Sequence, residues 1–477
     1  MVLFGVLSAS AQTTLYVDGT IGNDAVSRSS NTAATPWRTI GRAAWGSTNR
    51  SSPNSAEAAR AGDTVVVASG TYNYSGTVSN RFSAVYNPVN EGTSPSSTIT
   101  FQASGAVRLT APSAAAPVIG CHTRNYVIWQ GLFQLDEASI SITADTGTVV
   151  LVGATGCGVN GISVDGDGAP TYVDNHTGVR IELCQSCFVR NSTITDVRHP
   201  NGNHNGSGVM LYNSDNSIIE NNFIYDVDNA IFIKGVFGVN DPQSGTIIRR
   251  NRLENCDECI TVSDSQNSRI YQNVIRNAQI GLNLLARESG AYYHPVGDWF
   301  VNNTVYNMTS TCIYLGGSSI YENVRVWNNI LTNCNVANLR ESTTFPSGNS
   351  VVDWEHNNYS GFTTFADDTA NGTYTISLWK STFAQDSAAP AGSTSDPVHV
   401  NAAGGDFRLC TGVGAPVSTC TGASPVSALA IDVLDLDGDG STSDTVRAGA
   451  YVNNNEVIGL LAPGLGAPTG LRITTGS

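Results

Sequence analysis

The chain has 477 residues, a formal net charge of −15, only 13% charged residues, 40% hydrophobic residues and 48 glycines. The apolar share excludes a disordered chain. The acidic balance argues against nucleic acid, which attracts basic patches, and no apolar run approaches the ~18 residues of a membrane span. Abundant Gly, Asn, Ser and Thr beside few charges predict many short strands joined by polar turns rather than long helices.

In chain order, Val2 to Val6 are mostly apolar and Ala9-Ser10-Ala11 fits a small-residue cleavage site before Gln12. Residues 1–11 therefore read as a signal peptide cut short at its start, and the protein as secreted or periplasmic. In that compartment ten cysteines suggest disulfides rather than metal ligands. Residues 12–96 read as an N-terminal cap with the first coils. Leu15-Tyr16-Val17-Asp18 is a strand, 40–61 has Ala, Arg and Glu at roughly helical spacing, and Gly62–Tyr72 is a turn followed by a buried strand. Such a cap would cover the apolar end of a solenoid, which stacked repeats require.

Residues 97–361 are repetitive. The pattern Asn-x-[Ile/Leu/Val]-x-[Asn/Asp] begins at Asn222, Asn251, Asn273, Asn303 and Asn329, after a variant at Ser192, at intervals of 30, 29, 22, 30 and 26 residues. Coils with loops of variable length fit a β-helix better than a fixed-period helical repeat. After each motif comes a second element: Gly178–Glu182, Gly208–Tyr212, Ala230–Lys234, Cys259–Ser263, Gly281–Leu285 and Cys312–Gly316 share one register, with the second and fourth residues apolar. Period-2 alternation turns those inward and the third and fifth outward. Two outward columns follow: Arg180, Met210, Phe232, Thr261, Asn283, Tyr314, and Glu182, Tyr212, Lys234, Ser263, Leu285, Gly316. Residues 362–461 read as C-terminal coils and an exit cap, and 462–477 as a tail or linker. The expected fold is all-β: a single-stranded right-handed parallel β-helix with a short N-terminal helical cap, monomeric and without a membrane span.

The entry segment Gly62–Tyr72, the Asn-containing coils, and Leu378-Trp379, Asp396-Pro397, Asp406–Leu409, Asp435–Gly440 and Ala448–Tyr451 resemble the right-handed parallel β-helix proteins of carbohydrate metabolism, including polysaccharide lyases. The resemblance covers most of the chain and implies a polysaccharide in a groove along one face. Ile231-Phe232-Ile233-Lys234 resembles the strand bearing the catalytic Lys in the alginate lyases and chondroitinases of polysaccharide lyase family six, which implies Lys234 as the base of a β-elimination. That family has an Arg at the equivalent position of the next coil. Here Ser263 stands there, so Arg287, Arg249 or Arg250 would have to replace it. Asp257-Glu258-Cys259-Ile260 resembles the strand entry of polygalacturonases, where paired carboxylates act as acid and base.

A Lys serves as base only in its neutral form, which neighbouring cations or desolvation favour. Tyr212, beside Lys234, and His204, Tyr293 and His294 in adjoining loops are candidates to donate the leaving-group proton or stack on sugar. Arg180, Glu182, Phe232, Asn283, Arg250 and Tyr314 complete the expected binding set. Asp196, Asp226 and Asp228 lie where adjacent coils could share a hard cation, and Asp435, Asp437 and Asp439 resemble half of a calcium loop without its closing Glu. A bound Ca2+ or a local cationic patch would offset the repulsion between an acidic substrate and an acidic protein. Cys312 and Cys334, one coil apart, are expected to pair. Cys184/Cys187, Cys256/Cys259 and Cys410/Cys420 are further candidates, which leaves Cys121 and Cys157 unassigned. The readings carried forward are a secreted lyase on a uronate polysaccharide, a glycoside hydrolase or uronan epimerase on the same groove, and a non-catalytic glycan-binding surface protein.

Overall fold

The computed structural model describes residues 12–410 apart from 79–81, 113–115, 141–145, 167–175, 200–205, 236–242, 287–294, 318–320, 341–351, 369–371 and 388–392, together with scattered residues between 430 and 459. The expected signal peptide and tail lie outside these.

The chain winds into coils whose strands pair in parallel with the coils before and after, which makes three sheets. The first sheet holds Gly147–Val152, Thr177–Glu182, Ser207–Tyr212 and the C-terminal halves of Phe223–Lys234, Arg252–Ser263, Val274–Ala286 and Thr304–Gly317. The second runs from Val127–Gln130 through Phe188–Arg190, Ile247–Arg249, Arg269–Tyr271 and Trp299–Val301 to Val324–Trp327 and Val352–Glu355. The third contains Ser163–Asp165, Thr193–Thr195 and the N-terminal halves of the long strands.

Corners between sheets need left-handed backbone, which Asn and Asp tolerate best after glycine. Asp196, Asp226, Asn255, Asn277, Asn307 and Asn333 all have φ between 53° and 63° at one corner, and Asn191, Asn221, Asn302 and Asn328 occupy another. This is why the composition is rich in small polar residues. The motif asparagines face inward beside that second corner as a buried ladder. The Asn222, Asn251, Asn273 and Asn303 amides each donate to the side-chain oxygen of the next coil's asparagine at 2.9–3.0 Å. Ser192 starts the ladder, and Asn357 and Asp386 end it. Between ladder and strands the core is aliphatic: Val179, Ile181, Val209, Leu211, Ile231 and Ile233 are all fully buried.

The N-terminal helix is shorter than its spacing suggests. It covers only Ile40–Trp45, all six residues buried, with the Thr39 hydroxyl accepting from the Arg42 amide and Gly46 in left-handed backbone ending it. Ser51-Ser52-Pro53 cannot resume it. An unforeseen second helix, Ile376–Phe383, closes the other end. Thr375 caps it, and Trp379 packs on Trp354 and Phe365. C-terminal segments then cross the outer side of the third sheet, with Phe407, Ala450 and Ile458 against Val274, and Leu409, Leu436 and Ala448 against Ile330.

Cys312 and Cys334 are at disulfide distance, Cα atoms 5.7 Å apart, as are Cys184/Cys187 and Cys256/Cys259. Cys121 and Cys157, left unassigned by the sequence, also meet, with Cα atoms 6.6 Å apart on neighbouring coils. Cys410 is disulfide-bonded, and Cys420 lies outside the described residues.

One buried acid sets a pH dependence. Asp298 is 2% exposed and accepts the Ser265 hydroxyl and the Ser268 amide, each at 2.7 Å. Burial raises its carboxyl from 3.8 to about 6. Since the folded value lies above the unfolded one, the stability it contributes is fully present below pH ~4 and is lost as pH rises through ~6. Asp298→Asn keeps the shape and removes the charge. It should raise the unfolding free energy in urea at pH 8 by an amount on the order of 3 kcal/mol at most and leave that at pH 4 unchanged. An equal effect at both pH values would contradict this account.

Candidate active site

The first sheet builds the site. Its register pairs Arg180, Met210, Phe232, Thr261, Asn283 and Tyr314 in one column and Glu182, Tyr212, Lys234, Ser263, Leu285 and Gly316 in the next. The two sequence columns are therefore real neighbours. They are not, however, an open shelf. Arg180, Met210, Phe232, Thr261 and Asn283 are 2–7% exposed and Ser263 is fully buried, whereas Glu182, Tyr212 and Lys234 remain half-buried. Part of the cover comes from the entry region, where Phe82 packs with Ala84, Val150 and Val152 and its ring centroid lies 5.7 Å from the Arg180 guanidinium.

The Tyr212 ring stands between two cations. The Arg180 guanidinium is 5.7 Å from its centroid on one side and the Lys234 ammonium 5.8 Å on the other. Arg180 is oriented by Glu182, at 2.7 Å. Cations over a phenol ring are attracted by its negative face, so the ring spaces two like charges that would otherwise separate.

A polar row adjoins them. Thr177, Ser207, Asn229 and Glu258 align three residues before the first column on successive strands. The Glu258 carboxylate accepts from the Thr261 hydroxyl at 2.6 Å and from the Asn283 amide at 2.7 Å, and Thr261 also reaches Asn229 at 3.1 Å. The sequence placed Asp257 and Glu258 at a strand entry. The structure shows that Glu258 looks onto the same outer face as Lys234.

Of the three carboxylates expected to share a cation, Asp196 and Asp226 feel each other across adjacent coils, whereas Asp228 is engaged elsewhere. Asp228 is buried and its Oδ2 accepts the amides of His199, at 2.7 Å, and Gly206, at 3.0 Å, so it ties these two positions together. Burial raises its carboxyl above the usual range, and the nearby Asp257 charge adds to this. Asp196 and Asp226 occupy left-handed corner positions. Asp226 lies 3.8 Å from Arg198, and burial raises the Asp196 carboxyl, with the Asp165 and Asp226 charges acting the same way. Among the described residues no group of three or more His, Cys, Asp or Glu is arranged to hold a metal ion. The reason is local: the turn takes the aspartates for their backbone conformation, and the loop amides take the third.

Arg249 and Arg250 do not replace the missing arginine. Arg249 is on the second sheet, bound to Glu220. Arg250 is exposed at the corner after it, where it donates to Gln272 at 3.1 Å. Among the described residues, Arg180, two coils before Lys234, is a guanidinium on the same face. Arg287, His204, Tyr293, His294, Asp435, Asp437 and Asp439 lie outside the described residues. Sequence reasoning did not find the buried pair Glu137 and His176, whose Nε2 is 2.9 Å from both carboxylate oxygens. The two are 39 residues apart, and no spacing rule joins them.

The fold is that of a right-handed parallel β-helix, and residues 138–296 match the family described as the right handed beta helix region. The solved structure of the pectate lyase Pel9A is similar at 15% identity over 94% of this chain and 98% of that one, with a TM-score of 0.51. A mannuronic acid specific polysaccharide family 6 lyase from human gut microbiota is similar at 14% identity over 70% and 75%, TM-score 0.43. An exopolygalacturonase from Thermotoga maritima is similar at 11% over 64% and 81%, TM-score 0.47. No curated protein sequence matches the chain. At such identities the likeness is one of fold, which hosts more than one chemistry. No helix among the described residues is long and apolar enough to cross a membrane.

Proposed function

We propose that the chain is a secreted enzyme that cleaves a uronate polysaccharide by β-elimination on the outer face of its first sheet. The observation that carries this is the pair of cations, Arg180 and Lys234, held on either side of the Tyr212 ring. In a chain of net charge −15 this pair is a local site for an anionic polymer. In the proposed reaction, neutral Lys234 takes the proton next to the uronate carboxylate. The electron pair forms the new double bond as the glycosidic C–O bond breaks, and Tyr212 returns a proton to the departing oxygen. In this reading Arg180, already paired with Glu182, offsets the negative charge that builds on the carboxylate. The described residues assign calcium no place in this scheme, and a Ca2+ requirement remains a matter for chelator treatment. The eight cysteines paired among the described residues support an oxidising compartment.

The test is a screen of polygalacturonate, alginate and chondroitin sulfate, with and without chelator, for the ultraviolet absorbance of an unsaturated uronate. New reducing ends without that absorbance would overturn elimination. A second reading is then favoured by Glu258, whose carboxylate is fixed on the same face by Thr261 and Asn283. It is hydrolysis with Glu258 as one of two carboxyl groups. Glu258→Gln should in that case lower turnover by ~100-fold or more while Lys234→Ala is tolerated. For the lyase the order of severity is reversed.

A further inference from the structure

The outer face of the second sheet carries a feature that the reaction above does not use. One column there reads Ile247, Arg269, Trp299, Arg325, Asp353, and its neighbour Arg249, Tyr271, Val301, Trp327, Glu355. The Arg269 and Arg325 guanidinium carbons lie 4.2 and 4.4 Å from the Trp299 ring centroid, and Arg325 is also 5.0 Å from the Trp327 ring. Arg269, Arg325 and both indoles remain partly exposed. Because Arg269 and Arg325 come from the strands before and after Trp299, the indole sits between two cations about two strand spacings, ~9.6 Å, apart at the backbone.

Neither guanidinium has an ion pair among the described residues. Arg269 donates to the Ser268 and Gly297 carbonyls instead. The nearby Asp298 carboxylate is taken up by Ser265 and Ser268, and Asp353 lies beyond Arg325 in the same column. A third guanidinium, Arg249, adjoins at the Tyr271 hydroxyl, 2.9 Å away, and shares Glu220 with Arg190. Burial lowers the Arg269 pKa, the Asp298 charge raises it and the Arg325 charge lowers it again, so the like charge of Arg325 is felt at Arg269, while Asp353 feels the Arg325 charge in turn. An anion bound at these guanidiniums would relieve their mutual repulsion.

We infer that this face is a second binding surface, separate from the first sheet, for an extended anionic polysaccharide. Both ring faces of Trp299 are occupied by guanidinium, so the indole is a spacer rather than a stacking platform. It holds two planar donors on one face of the sheet, and a guanidinium can donate bidentately to a carboxylate. The spacing suits carboxylates on alternate units of an extended uronate chain lying along the helix axis, across the strands. Helix axis and polymer then run together, and the surface would keep a long chain on the enzyme between cleavages. The choice of uronate rests on the proposed function; the anion-binding rack itself does not.

The test is affinity electrophoresis through gels containing polygalacturonate, alginate, dextran sulfate or neutral hydroxyethyl cellulose. The full chain is compared with the double variant Arg269→Gln/Arg325→Gln and with Trp299→Phe. The wild type should be retarded by one of the uronates and not by the neutral polymer, and retardation should weaken as salt rises. The double variant should lose most of that retardation, ~10-fold or more in apparent affinity for two charge-assisted contacts, with an unchanged circular dichroism spectrum. Trp299→Phe should lose part of it. Retardation of the double variant equal to wild type would overturn the inference, as would a lowered unfolding midpoint with binding intact, since the stack would then be structural only. Retardation by dextran sulfate alone would overturn the uronate assignment. If uronate binding depends on these residues while no uronate is cleaved, the binding surface stands and the lyase reading falls.

Discussion

Lys234→Ala should abolish elimination, lowering turnover by ~100-fold or more, the usual scale for a positioned general base. The change should scarcely alter stability. Lys234 is half-buried at the end of Phe223–Lys234 and its truncation opens no core cavity, so the unfolding free energy should change by less than ~0.5 kcal/mol. Lys234→Arg should fail almost as completely, because a guanidinium stays protonated and cannot accept the proton. Tyr212→Phe keeps the ring between the two cations but removes the donor. It should lower kcat more than it raises KM if Tyr212 protonates the leaving oxygen. Arg180→Ala should instead act on both, because it removes a carboxylate contact made before and during the reaction. The decisive comparison is Lys234→Ala against wild type on whichever uronate polymer gives the unsaturated product. Retention of more than a tenth of wild-type turnover would remove Lys234 from the chemistry and turn attention to Glu258.

Asn273→Ala should be strongly destabilising. Asn273 is fully buried. Its side-chain oxygen accepts both the amide and the side chain of Asn251 at 3.0 Å. Its nitrogen donates to Asn303 and to the carbonyl oxygens of Ile248 and Tyr271 at 3.0–3.1 Å. Alanine leaves the Asn251 amide buried without its acceptor and strips the Ile248 and Tyr271 carbonyls of a donor. Each stranded group costs ~1–3 kcal/mol, so a loss of ~3 kcal/mol or more is expected in urea unfolding, large against a typical total stability of ~5–15 kcal/mol. Asn335→Ala, an exposed asparagine outside the ladder, is the control and should change stability by less than ~0.5 kcal/mol. Equal effects from the two substitutions would show that the ladder does not hold the coils in register.

The solenoid was legible in the sequence because each coil repeats one local demand. A side chain can face the core only at alternate strand positions, so Val179/Ile181, Val209/Leu211 and Ile231/Ile233 declare both strand and register. A buried corner needs the same amide in every turn, so Asn222 to Asn329 declare the stacking. The paired columns Arg180–Tyr314 and Glu182–Gly316 follow from those two facts, and the structure has them. What repetition does not encode was not legible. Nothing in the spacing of 40–61 shows that the helix stops at Trp45, because Gly46 ends it by a left-handed backbone, a conformation rather than a period. The second helix is a single Thr375-capped segment whose Trp379 and Phe383 gain their meaning only from the core end they plug.

The site divides in the same way. The sequence by itself determined that Lys234, Tyr212, Arg180 and Glu182 share one face, since strand alternation and equal register leave no other arrangement. Only the tertiary structure decided that Arg180 rather than Arg249 or Arg250 stands with Lys234, because which of three sheets a residue joins depends on how many residues each corner consumes. Only it could show that Asp228 accepts the His199 and Gly206 amides, that Glu258 is held by donors from its own and the next strand, and that much of the outward column is covered. Those outcomes depend on contacts between coils and on segments that fold over them, distances in space that no pattern along the chain contains.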